Sequence, residues 1–79
     1  MITQDVLTAY LRTSFSDVSV TMTDKTGTMD HLKIRVISDQ FRGKSLLDRH
    51  RMVYQALADP LKDGRIHALE IAADTPDGL

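Results

Sequence analysis

The sequence predicts a two-layer α+β domain in which a three-stranded mixed sheet carries its helices on one face. Three observations lead there. Apolar residues recur at helical spacing near the N-terminus and again mid-chain, three other segments alternate with the period of two that a half-buried strand requires, and the longer helix separates the second strand from the third. A strand–helix–strand crossover makes the second and third strands parallel, with a right-handed connection. The short loop between the first and second makes them antiparallel.

The elements follow in order. From Thr3 to Ser14, the residues Val6, Leu7, Tyr10 and Leu11 form one stripe of an amphipathic helix, with Thr3 or its neighbour as its N-cap. Val18, Val20 and Met22 alternate with Ser19 and Thr21, and their β-branched content suits a first strand. Thr23 to Met29 is polar and contains Asp24 and Gly27, as a hairpin loop does. Leu32, Ile34 and Val36 alternate with Lys33 and Arg35 in a second strand ending near Ser38, whose solvent side carries the two basic residues. Turn residues then surround Phe41, and Ser45 followed by Asp48 marks the N-cap and acidic first turn of the main helix. Its expected buried stripe is Leu46, Leu47, His50, Val53, Tyr54 and Leu57, and Pro60 with Gly64 ends it. A third strand runs from Arg65 to about Ala73, with Leu69 and Ile71 facing one way and Glu70 the other. The tail from Asp74 to Leu79 is too short and polar to be assigned structure.

Composition narrows the function. The 79 residues are 42% hydrophobic and 27% charged with a net charge of −1, which describes one small domain spanning the whole chain. A chain this short hides roughly 60–65% of its unfolded surface, so the core is thin and a deep catalytic cavity is not expected. The absence of cysteine excludes disulfides, a thiol nucleophile and an all-protein cysteine cage. No apolar run approaches the ~20 residues of a membrane span, and the first residues lack a basic-then-apolar leader pattern, so a cytoplasmic protein away from membranes is expected. No nucleophile elbow, phosphate loop or helical metalloprotease spacing occurs, and the carboxylates are scattered singly. A non-enzymatic role is the expectation.

Charge is uneven despite the near-neutral total. Between Lys33 and Arg51 stand six basic residues, Lys33, Arg35, Arg42, Lys44, Arg49 and Arg51, against Asp39 and Asp48. Arg42, Gly43, Lys44, Arg49 and Arg51, gathered at the start of the main helix, would form an anion-binding surface; the alternative is a solvated helix face, and a nucleic-acid binder would more often be basic overall. Three histidines supply imidazole ligands. His50 lies on the apolar stripe and reads as a core-edge residue. His31 and His67 begin the second and third strands, so parallel pairing brings them to one end of the sheet. Strict alternation would place His67 on the inner face with Leu69 and His31 on the outer face.

The run Phe41-Arg42-Gly43-Lys44-Ser45-Leu46-Leu47-Asp48-Arg49-His50-Arg51-Met52-Val53-Tyr54, then Ile66-His67-Ala68-Leu69 and Thr75-Pro76, together with Asp30-His31-Leu32, resembles the BolA family over nearly the whole chain. The resemblance implies a fold related to the type II KH domain, αββαβ with a short C-terminal helix, here short or absent because the chain stops at Leu79. It also implies pairing with a monothiol glutaredoxin of the CGFS type, the two proteins holding a [2Fe-2S] cluster between them. Glutaredoxin cysteine and glutathione then supply sulfur, and His67 is the ligand from this side. The family's second ligand usually comes from the loop between strands 1 and 2; that loop lacks histidine and cysteine here, and His31 is the nearest candidate. Regulation of transcription through DNA contact is the other implied role, and Arg42, Gly43, Lys44, Arg49 and Arg51 would then bind the phosphates. Alone, the protein is expected to hold no cofactor and to be a monomer or weak homodimer.

Overall fold

The computed structural model describes residues 2–24 and 31–78, so most of the expected hairpin loop, from position 25 onward, lies outside the described residues. The elements are helix α1 (Gln4–Arg12), strands β1 (Ser19–Asp24) and β2 (His31–Ile37), a short 3₁₀ turn (Asp39–Phe41), helices α2 (Leu46–Ala56) and α3 (Ala58–Lys62), and strand β3 (Ala68–Asp74). The sheet order is β1-β2-β3. β1 and β2 are antiparallel with Met22 opposite Ile34, and β2 and β3 are parallel with Ile34 beside Ile71. Both pairings and the two-layer architecture agree with the sequence reading.

Leu32, Ile34 and Val36 of β2 are buried, while His31, Lys33 and Arg35 face solvent. The core they enter is completed by Leu7 and Leu11 of α1, Val53 and Leu57 from the α2 region, and Ile2, Phe15, Phe41 and Ile66 from the segments between. Phe15 and Phe41 pack with ring centroids 5.0 Å apart at a tilt of 51°, a favourable aromatic geometry. The Thr3 hydroxyl caps α1 by accepting from the Val6 amide at 3.3 Å. Val6 itself is exposed, unlike Leu7 and Leu11: the buried line follows positions 7 and 11, and the neighbouring residue stands about 100° around the helix.

The buried stripe of α2 differs from the expected one. Leu46 is 67% exposed, Leu47 59% and Tyr54 44%, whereas Val53, Leu57 and Pro60 are buried and His50 and Met52 are half-buried. The first turn of α2 lies at the end of the sheet where β3 finishes, since Arg49 Nη1 donates to the Ala73 carbonyl at 3.1 Å. Leu46 and Leu47 stand at that end with no strand beneath them. Helical spacing sets the phase of a stripe but not how far the supporting sheet extends.

Pro60 shapes the end of this helix. It has no amide to give the Ala56 carbonyl, and the chain departs from helical geometry at Leu57 (φ −102°, ψ 18°) before restarting as α3. The third strand begins at Ala68 rather than Arg65. The preceding amides are committed elsewhere, Arg65 N to Asp63 Oδ1 at 3.1 Å and Ile66 N to the Pro60 carbonyl at 3.1 Å. The tail also has structure. The Thr75 hydroxyl donates to Asp77 at 2.6 Å, and the Gly78 amide, at φ +78°, closes a turn onto the Thr75 carbonyl at 3.0 Å. No C-terminal helix occurs among the described residues.

Ser38 joins these parts. Its side chain is fully buried, and its hydroxyl donates to Asp17 Oδ1 at 2.6 Å while accepting from the Gln40 amide at 3.1 Å. Its amide donates to the Asp74 carbonyl at 3.0 Å and its carbonyl accepts from Phe41 N at 3.3 Å. Asp17 takes a further bond from the Asp39 amide at 2.8 Å. The Ser38 hydroxyl first, and the Asp39 amide second, hold the Asp17 carboxyl below the usual carboxylate range.

Replacing Ser38 by Ala should lower the unfolding free energy in urea by about 1–2 kcal/mol, the cost of a lost cap with a buried bond. Because its native pKa is depressed, Asp17 stabilises the fold above about pH 4 and ceases to do so as pH falls through the lowered value. The urea midpoints of the wild type and Asp17→Asn should therefore converge below pH 4; a gap that stays constant would refute the assignment.

Candidate functional site

The two candidate histidines lie at one end of the sheet, His31 at the start of β2 and His67 just before β3. His31 lies beside Ala68 in the parallel register, one residue from His67, and neighbouring strands stand about 4.8 Å apart. His67 is exposed and the preceding Ile66 is buried. This corrects the inner-face placement expected for His67. The pleat begins only at Ala68, so alternation counted back from Leu69 does not apply to the bend before it. Both histidines are consequently exposed at one end of the sheet, His31 on the outer face of β2 and His67 on the bend before β3, which the buried Ile66 anchors.

Gly64 shapes that bend. It ends the α3 region at φ +85°, and the position where a Cβ would stand is 3.8 Å from His67 Nε2. Gly64→Ala should cost about 1–2 kcal/mol through the left-handed backbone and displace the His67 ring signals in an NMR spectrum. Unchanged ring signals would separate Gly64 from the placement of His67.

Between the two strand starts lies a cavity of about 310 Å³ lined by His31, Leu32, Ala68, Leu69 and Glu70. Glu70 and Leu69 were not singled out from the sequence as site residues, although the parallel register, once read, puts them beside His31. No group of three or more histidine or carboxylate side chains suited to a metal ion occurs among the described residues. His50 is half-buried on α2, away from this end.

The basic residues fall into two sets. Arg42 bonds Asp39 Oδ1 at 2.7 Å and Asp77 Oδ2 at 2.9 Å, the Asp77 bond and then the Asp39 bond raising its pKa. Arg49 donates to the Lys44 carbonyl at 3.1 Å as well as to Ala73. Arg35 pairs with Asp74 at 3.4 Å. Lys44, next to Gly43 at φ +77°, and Arg51, midway along α2, are exposed. Elsewhere Arg65 bonds Asp63 at 2.9 Å and the Tyr10 hydroxyl at 2.8 Å with its guanidinium 5.3 Å from the Tyr10 ring centre, tying α1 to the bend before His67. The Asp63 bond, then the Tyr10 bond, raises the Arg65 pKa, and Arg65 in turn lowers that of Asp63.

The BolA-like protein family model matches residues 9–78. Protein BOLA2 of Arabidopsis thaliana is 38% identical over 78 residues, covering 96% of this chain and 82% of that protein. SufE-like protein 1 of the same plant is 54% identical over 46 residues, 58% of this chain and 12% of the relative. The structure of its BolA domain superposes with a TM-score of 0.81 at 32% identity, covering all of both chains. The Escherichia coli DNA-binding transcriptional regulator BolA is 35% identical over 68 residues, 77% of this chain and 64% of that protein. The chain thus spans less than two thirds of the length of several curated relatives. It belongs to the BolA family. No helix among the described residues is long and apolar enough to cross a membrane.

Proposed function

We propose that the protein is a non-enzymatic, cytoplasmic adaptor for iron–sulfur cluster assembly or trafficking that pairs with a monothiol glutaredoxin and shares a [2Fe-2S] cluster with it. The exposed His67, set on the anchored bend before β3 with His31 at the same sheet end, carries this reading. The chain has no thiolate of its own, so sulfur comes from the glutaredoxin and glutathione, and the contribution from this side is an imidazole nitrogen. No group of three histidine or carboxylate side chains suited to a metal ion occurs among the described residues, and two histidines suit a site shared with a partner that brings the sulfur ligands.

Visible circular dichroism of the glutathione-bound glutaredoxin cluster tests it. Wild-type protein should produce a new spectrum and His67→Ala should not; His31→Ala tests the second ligand through the lifetime of the cluster. A full spectral change with His67→Ala would overturn the ligand assignment.

A second reading, transcriptional regulation by direct DNA contact, is supported by the name of the Escherichia coli relative and by the exposed Lys44 next to Gly43 and Arg51 on α2. It requires affinity that falls steeply with salt, the log–log slope changing by about 0.9 for each phosphate neutralised. Lys44→Ala with Arg51→Ala should flatten that slope by about two such steps. Arg42 and Arg49 have intramolecular bonds to keep, and replacing them should chiefly lower stability. Binding without salt dependence would dismiss this reading.

A further inference from the structure

We propose that the bridge from Tyr10 through Arg65 to Asp63 orients the His67 imidazole, with Arg65 its positioning residue. Its bearing on a shared cluster rests on the reading of His67 as a ligand, whereas the orientation itself belongs to the free protein. Residues 63–67, between α3 and β3, belong to no helix or strand, so no backbone ladder fixes their course and side chains must do so. On the inner side the buried Ile66 does this, with its amide bonded to the Pro60 carbonyl at 3.1 Å. A single anchor leaves the residues on either side of it free to turn.

Arg65 supplies the second anchor. Its Nε lies 2.9 Å from Asp63 Oδ2 and 3.1 Å from Oδ1, and its Nη2 lies 2.9 Å from Oδ2 and 2.8 Å from the Tyr10 hydroxyl. Asp63 Oδ1 also accepts from the Arg65 amide at 3.1 Å, so the two side chains close a ring across Gly64, the residue between them. The far end of the bridge is fixed, because Tyr10 packs against the core on the helix that buries Leu7 and Leu11. The His67 ring comes back onto this closed turn: its Nε2 is 3.8 Å from the place a Cβ on Gly64 would occupy. A shift of the turn therefore moves the surface against which the imidazole rests. With the Arg65 side chain 34% exposed and that of Asp63 48%, the ion pair adds little to stability, and orientation is its larger contribution. Groups that hold a ligating histidine in place act on a metal in this way.

NMR of the isotope-labelled free protein reads the orientation through the His67 ring carbon–proton signals and their relaxation. Arg65→Gln and Tyr10→Phe should each displace those signals and increase the ring's motion, and the double variant should change them no further than Arg65→Gln alone, because one bridge is lost in each case. Arg65→Lys should behave like Arg65→Gln, since a single ammonium does not reproduce the guanidinium fork. Ser38→Ala, which weakens the fold away from this bend, should leave the ring signals in place. With the glutathione-bound glutaredoxin cluster, Arg65→Gln should shorten the lifetime of the new circular-dichroism spectrum about tenfold, the lower end of what losing a supporting group does to a metal site. Unchanged ring signals in Arg65→Gln would overturn the proposal whatever the cluster lifetime, and so would wild-type signals in Arg65→Lys or an equal displacement in Ser38→Ala. A wild type that gives no new spectrum would remove the cluster reading, with the ring signals still deciding the orientation.

Discussion

Every polar group of Ser38 is used, and the path of the chain between the second and third strands depends on it. The residue sits where β2 must stop, turn and rise into the helical layer. Its amide continues the parallel ladder one step beyond Ile37 onto Asp74, and its hydroxyl caps the 3₁₀ turn and reaches Asp17, between α1 and β1. That turn delivers Phe41 to Phe15. In a domain this small, a buried hydroxyl left without partners would cost a large share of the total stability, so the crossover and the aromatic contact are fixed together.

The same economy governs the arginines. Arg42 binds the 3₁₀ turn to the C-terminal turn, Arg49 binds α2 to β3, and Arg65 binds the bend before His67 to α1. A thin core leaves the periphery to be held by polar fasteners, and planar guanidinium groups with several donors suit that work. The local excess of positive charge around α2 is consequently less available to a ligand than its residue count suggests, since Arg42 and Arg49 are engaged while Lys44 and Arg51 are exposed.

Strand alternation in Leu32, Ile34 and Val36, with a capped helix between β2 and β3, was enough to order the sheet and set its directions, because period and connection length are local properties. Two readings that extended a period past its element went astray. Leu46 and Leu47 continue the α2 stripe beyond the end of the sheet, and His67 was assigned a pleat that starts one residue later. Of the candidate site, the two histidines and their common sheet end were legible, whereas Leu69 and Glu70 beside them emerge only from the register.

Sequence alone determined the α+β class, the parallel and antiparallel pairings, the family resemblance and the lack of thiolate chemistry, since each follows from residue identity and short-range spacing. Tertiary structure decided which apolar residues are covered, which arginines are engaged and that His67 faces solvent. Those properties depend on where one element ends against another, and residues far apart in the chain, such as Arg49 with Ala73 or Asp17 with Ser38, settle them by contacts that local periodicity does not encode.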